Sequence, residues 1–243
     1  MLTRQKRNKT MRKHPFALRR LSSIAISSLL AGILISLGAT VFLGIRQGGH
    51  SFGFHIVGAV FFTLGLYIII HWKLWLYTGK VGFVSDYKAR FWLALLLCLT
   101  CNLIGAVGFP ALIKMTRLYA QIETAAKPLV AAKLNDSPMS IFILSIMCGV
   151  MIYIAVKGHA NFSYSLAKTI AVFLAIPTFI MCGFEHVIAN AAYFTYAHVF
   201  SWKVVWYFVL MAVGNGIGSI GLAWLYEKQI QLANRPKTAK LPR

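Results

Sequence analysis

The chain has 243 residues, of which 58% are hydrophobic and only 12% charged, and its mean hydropathy is +0.69. A soluble domain carries about 25% charged residues, so there is too little polar surface to wrap a globule of 27.0 kDa in water. That excludes an ordinary soluble enzyme, a disordered chain and a disulfide scaffold, and leaves a polytopic membrane protein.

The charge is lopsided, 25 Lys and Arg against 5 Asp and Glu, for a net +20. In a soluble protein such a surplus would suggest nucleic acid, but its position points elsewhere. Basic residues crowd the first twenty positions (Arg4, Lys6, Arg7, Lys9, Arg12, Lys13, Arg19, Arg20) and return after Tyr226 (Lys228, Arg235, Lys237, Lys240, Arg243). Basic ends flanking apolar spans are juxtamembrane segments. The expected partner is therefore a lipid bilayer, with no nucleic acid.

In chain order, residues 1–20 form a basic N-terminal segment, 21–226 a transmembrane domain and 227–243 a basic C-terminal tail. The basic head feeds straight into a full-length span, so no cleaved signal is expected. Leu21–Ile45, Gln47–Trp72, Phe91–Ile113, Ser137–Val156 and Val204–Tyr226 are free of charge. Each is long enough to cross a bilayer as a helix of about 20 residues. Thr169–Trp202 is also apolar but carries Glu185-His186 at its middle. It is too long for one straight span and too short for two, so it reads as one discontinuous span, the fifth of six. With the N-terminus inside, the inner segments hold nineteen Lys and Arg and the outer loops six. The positive-inside rule then puts both termini in the cytoplasm.

The two halves of the domain resemble each other. Span three contains Asn102-Leu-Ile-Gly105 and span six contains Asn215-Gly-Ile-Gly218, 113 positions later. Each follows a span interrupted by non-helical chemistry, Leu76–Lys80 in the first half and Cys182–His186 in the second. Three spans per half make an inverted repeat, and paired broken spans in such a repeat point to a permeation site near the bilayer midplane. Backbone freed from a helix at that depth survives only inside protein or along a polar cavity. The breaks should line a pore, with Gly79 and Gly183 supplying torsional freedom.

Glu185-His186 is the one acid–imidazole pair inside an apolar span. An ionisable residue there normally faces a cavity and serves function. Glu185 reads as structural, holding a broken helix end. His186 reads as functional, because histidine alone changes charge near neutral pH. The other histidines lie at span edges or in loops. Cys98, Cys101, Cys148 and Cys182 read as buried and unreactive, and the glycines of the spans as helix-packing positions. No phosphate loop, nucleophile elbow, haem or metal motif occurs in the sequence, so neither an enzyme nor a cofactor is expected.

Cys182–Tyr193 reads C-G-F-E-H-V-I-A-N-A-A-Y and resembles the signature of the formate/nitrite transporter family. Phe62–Leu66 running into Leu76–Gly79, Asn102–Ala106 and Gly214–Gly218 match other family segments in the family's order. The resemblance implies an aquaporin-like fold of six transmembrane helices with helices two and five broken. It implies a homopentamer in the inner (plasma) membrane with one pore per protomer, passing small weak-acid anions. Formate and nitrite lead; hydrosulfide, acetate or lactate stay open. His186 matches the family's central histidine, Thr78 its loop threonine, Lys133 a basic residue near the outer mouth, and Asn215 a pore-facing asparagine. Asn102 and Glu185 map to structural positions near the pore. Phe62 and Phe179 map to an outer constriction, and Leu66, Leu76 and Tyr77 to an inner one. Trp75, Lys80 and Gly149 depart from the pattern, which has an acid, an asparagine and an asparagine there.

An anion cannot cross two apolar constrictions cheaply, since desolvating a unit charge costs several kcal/mol. Lys133, with Lys114, Arg117 and Lys127, would concentrate anions outside, and Thr78, Asn215 and His186 would replace lost water. His186 either donates a proton, so that the neutral acid crosses with H+, or acts only electrostatically. A neutral-solute channel is the alternative outside this class, although the paired N-P-A turns expected of one are absent.

Overall fold

The computed structural model describes residues 2–49, 51–86 and 90–234, with side chains from Arg19 onward save those of residues 85 and 86. The side chains of residues 1–18 and the tail beyond Asn234, which carry most of the expected basic ends, lie outside that description. The described chain is helical: α1 Leu2–Gln47, α2 Phe52–His71, α3 Tyr77–Lys80, α4 Arg90–Ile113, α5 Tyr119–Asn135, α6 Pro138–Asn161, α7 Ser165–Met181, α8 Val187–Tyr196 and α9 Trp202–Ala233. A 3-10 segment, Val81–Asp86, continues α3. Five helices are long and apolar enough to span a bilayer: α1 over Arg19–Gln47, α2, α4, α6 and α9. The sixth span is composite, α7 joined through residues 182–186 to α8. Six apolar stretches thus become nine helices among the described residues, because both breaks leave short helical pieces and α5 forms between spans three and four.

The inverted repeat is visible in the packing. α4 lies along α1 and α9 along α6, while α2 meets α7 across the halves. The short pieces are exchanged: α8 packs on α4, and Val81–Asp86 packs on α9. In lipid, helices gain little from hydrophobic burial against one another and associate through close contact of small residues. A Cβ at Gly32 would run into the Asn102 carbonyl, and one at Gly149 into the Asn215 carbonyl. Likewise Gly105 sits against the Leu29 carbonyl and Gly218 against that of Ile146. Gly149 and Ile146 each follow Gly32 and Leu29 by 117 positions, so the same contacts occur twice. This explains Gly149, since asparagine there would force α6 off α9. Gly108 and Gly221 face open space and take no part.

The broken spans also share one device. α2 ends with the Lys73 amide donating to the Ile70 carbonyl (3.1 Å) and the Leu74 amide to that of Ile69 (2.9 Å). α7 ends with Gly183 to Ile180 (3.1 Å) and Phe184 to Phe179 (2.9 Å). Both are Schellman turns, which need a left-handed residue: φ is 56° at Lys73 and 68° at Gly183. Glycine takes that conformation freely, whereas in a lysine it costs about 1–2 kcal/mol. Two expectations are corrected here. The first break spans Trp72–Leu76 rather than Leu76–Lys80, and Gly79 lies inside α3 while Lys73 makes the turn.

Gly149→Ala is expected to destabilise the protein by about 1–3 kcal/mol, the usual cost of overpacking a tight contact. Thermal unfolding in detergent measures it; an unchanged midpoint would contradict the close α6–α9 approach.

Candidate functional site

Each break leaves backbone groups that no helix satisfies, and one asparagine attends to each. The Asn102 side chain accepts from the Tyr77 amide (2.8 Å) and donates to the carbonyls of Trp75 (2.9 Å) and Ser28 (2.7 Å). Asn215 accepts from the Val187 amide (3.0 Å) and donates to the carbonyls of Glu185 (2.7 Å) and Ser145 (2.8 Å). Both side chains are fully buried. An amide is suited to this work because it offers an acceptor and two donors on one rigid plane. Asn215 is therefore occupied by the backbone of its own half and does not line a cavity.

Between these staples the two breaks present Thr78 and His186 to each other. Thr78 Oγ1 lies 2.9 Å from His186 Nε2, both residues being buried. His186 is also the N-cap of α8, its Nδ1 accepting from the Ala189 amide at 3.1 Å. A backbone N–H can only donate, so Nδ1 carries no proton and the ring hydrogen sits on Nε2, directed at Thr78. The threonine oxygen is then an acceptor, and its own hydrogen has no acceptor among the described residues. A buried hydroxyl donor is thus held ready by an imidazole, and that imidazole is fixed by a helix start.

Glu185 anchors the same turn. Its Oε2 accepts from Lys133 Nζ and from Asn190 Nδ2, each at 2.7 Å, and the Lys133 and Glu185 side chains are only 10% and 3% exposed. Lys133 comes from α5, the helix sequence periodicity left unseen. Its charge is neutralised by Glu185, so it stands at the cavity wall as half of an ion pair. Lys114, Arg117 and Lys127 are exposed on this side and line neither cavity described below; Lys127 pairs with Glu123 at 2.8 Å.

Two cavities approach the Thr78–His186 pair from opposite ends of α2 and α7. The one at the His55 end, ≈150 Å³, is walled by Phe42, Arg46, His55, Lys133, Phe179 and His186 among others. The one at the His71 end, ≈430 Å³, is walled by Leu66, Leu76, Lys73, Lys80, His159 and Lys168 among others. Phe62, Leu66, Leu76, Thr78, Phe179 and His186 are all buried and separate the two. Phe62 meets Phe179 edge-on at 5.9 Å, and Phe179 lies 5.9 Å from the His186 ring. The structure thus gathers five of the expected site residues, Thr78, His186, Phe62, Phe179 and Leu76, with Leu66 beside them. Tyr77 lies apart, its hydroxyl donating to the Ala212 carbonyl at 3.0 Å.

Arg46, His55, Lys73, Lys168 and His159 are wall residues that sequence reasoning did not single out. Arg46 carried a signal, being the single charge between the first two spans. The cysteines are free, Cys98 and Cys148 buried but Cys182 exposed, which corrects the expectation for Cys182.

Replacing Lys133 by Met strands a buried carboxylate and is expected to cost about 3–5 kcal/mol, while adding Glu185→Gln should restore most of that loss. Thermal unfolding of the single and double variants is the measurement; equal stability of the two would contradict the buried pair.

The family model described as formate/nitrite transporter matches residues 4–228. The formate channel FocB of Escherichia coli (strain K12) is 28% identical over 180 residues, 69% of this chain and 64% of that protein, so the match spans under two thirds of that relative. The formate channel BtFdhC of Bacillus thuringiensis is 26% identical over 240 residues, 86% of this chain and 89% of that protein. A solved pentameric formate channel with formate bound superposes with a TM-score of 0.76 at 19% identity, covering 88% of this chain and 98% of that one. A second structure, an FNT family ion channel, gives 0.76 at 19% identity over 87% and 92%. With the inverted repeat and the twin broken spans, these matches establish that the chain is a multi-pass membrane transport protein belonging to the formate/nitrite transporter family.

Proposed function

We propose that the protein conducts a small weak-acid anion, formate or nitrite foremost, through the middle of each protomer, past the Thr78–His186 pair. The observation that carries this reading is a buried Thr78–His186 hydrogen bond between two cavities that approach it from opposite ends, with aromatic and aliphatic side chains separating them. An anion that leaves water at Phe62 and Phe179 loses its hydration, and a pre-placed O–H replaces part of it. The order of action runs from Ala189 to His186 to Thr78 to the anion, each group donating to the next. His55 and Arg46 lie at the mouth that the positive-inside rule assigns to the outside, and the His71 end opens to the cytoplasm with both termini. The relatives named as formate channels support formate; hydrosulfide, acetate and lactate belong to the same chemical class.

The assembly is a homopentamer, supported by the pentameric neighbour and by the broad apolar faces of α1, α2, α4 and α9 that carry Ile26, Phe61, Leu96 and Trp206. His186 works as a neutral donor. For it to supply a proton to the anion, Nδ1 would have to be protonated first, which breaks its bond to Ala189. An accompanying H+ therefore comes from solvent in the cavities, where the weak acid meets it, and not from the capped ring.

Flux of formate, nitrite, hydrosulfide and lactate into proteoliposomes across pH tests this. His186→Gln, whose longer amide can place an N–H where the imidazole Nε2 lies, keeps a donor toward Thr78 and should retain flux within about tenfold. His186→Leu removes the N–H that orients the Thr78 hydroxyl, so the bond from that hydroxyl to the anion is lost and flux should fall about a hundredfold, as expected for a hydrogen bond to a charged species worth ~1.5–3 kcal/mol. Equal losses in the two variants would contradict the donor role, and glycerol permeation without anion flux would favour a neutral-solute channel.

A further inference from the structure

The cavity at the His71 end is larger than the one at the His55 end and richer in lysine. Three lysines, Lys73, Lys80 and Lys168, line it together with His159, and no carboxylate lines it among the described residues. Its ≈430 Å³ has room for on the order of ten waters at about 30 Å³ each, far more than one formate or nitrite needs. Lys73 holds the left-handed turn of its break with φ 56°, where the repeat-related turn uses Gly183. A strained residue kept where glycine would fit without cost is a pointer to function, and what lysine adds at that position is a cation on the cavity rim. Lys80 has no acidic partner among the described residues and rests over the Trp75 ring at 5.7 Å. Lys168 lies in the first turn of α7, and His159 is packed edge-on against His71 at 4.8 Å.

We propose that this cavity is a binding site for a soluble multivalent oxyanion of the phosphate class, and that the bound ion plugs the pore from that end. Separate ammonium groups hold a monovalent anion weakly, because salt screens each of them. A di- or trivalent oxyanion offers several oxygens to three ammoniums at once and forms charge-assisted bonds with each. Leu66 and Leu76 close the far end of the cavity, so a strongly hydrated multivalent ion enters but does not pass. The binding claim stands on the cavity alone. The plugging claim rests on the permeation reading above.

The test titrates inorganic phosphate and pyrophosphate calorimetrically into the full chain in neutral detergent, with ionic strength matched by chloride. The expected result is saturable binding, tighter for pyrophosphate, that weakens about tenfold or more in each of Lys73→Gly, Lys80→Gln and Lys168→Gln. Lys73→Gly relieves the left-handed strain and should unfold at an equal or higher temperature, which separates lost binding from lost fold. No saturable heat, or affinity unchanged by all three substitutions, would overturn the site. Reconstitution in phosphatidylcholine with or without phosphatidylglycerol distinguishes the source. Binding that vanishes with the anionic lipid would make a headgroup the occupant and overturn the soluble ion. Pyrophosphate presented to one side of proteoliposomes at a time should inhibit formate flux from the His71 side only. Binding without inhibition would overturn the plug. Absence of formate flux in the unsubstituted protein would instead overturn the permeation reading and leave the binding result intact.

Discussion

A helix broken inside a bilayer exposes amides and carbonyls where no lipid can bond them, each at a cost of several kcal/mol. The fold depends on meeting that demand twice, and it does so with two asparagines. Asn102 and Asn215 each bridge their own break to a neighbouring helix through one acceptor and two donors. Because each Asn comes from a helix locked by glycine contacts, the breaks are fixed as firmly as the helix pairs. Thr78 and His186 inherit their positions from this arrangement, which explains how two residues 108 positions apart come to share a hydrogen bond.

The duplication is structural, and the chemistry is asymmetric. At matching places after the Schellman turns, the first half has Lys73, Trp75 and Leu76 and the second has Gly183, Glu185 and His186. One break therefore delivers a cation, an aromatic ring and an aliphatic wall to the His71 side. The other delivers a neutralised acid and a capping imidazole to the His55 side. Inverted scaffolds with unlike fillings thus give two different cavities, the larger one lined by lysines without an acidic partner among the described residues and the smaller one holding a closed Lys133–Glu185 pair.

Much of this was legible in the residues. Apolar runs free of charge locate the spans because lipid permits little else, and Asn-x-Ile-Gly recurs because small-residue contacts and backbone staples occupy neighbouring turns. Glu185-His186 was conspicuous for the same reason. What escaped the sequence is tertiary. α5 carries Lys and Glu among its apolar residues and reads as a loop until Lys133 is seen to meet Glu185, 52 positions on. The first break was placed around Gly79 because glycine signals freedom. The left-handed turn instead falls where α2 ends, at Lys73, against the residue's own preference. The resemblance implies a pore-facing Asn215, yet its three bonds are all spent on backbone.

The central claim is that a helix start fixes the His186 tautomer and thereby points a hydrogen-bond donor, through Thr78, into the pore. The direct measurement is ¹⁵N solid-state NMR of histidine-labelled protein in bilayers, with the His186 signal identified by its loss in His186→Asn. The account predicts a single neutral tautomer, protonated on Nε2 with Nδ1 bare, throughout the pH range of transport. A His186 ring protonated on Nδ1, alone or together with Nε2, would contradict it.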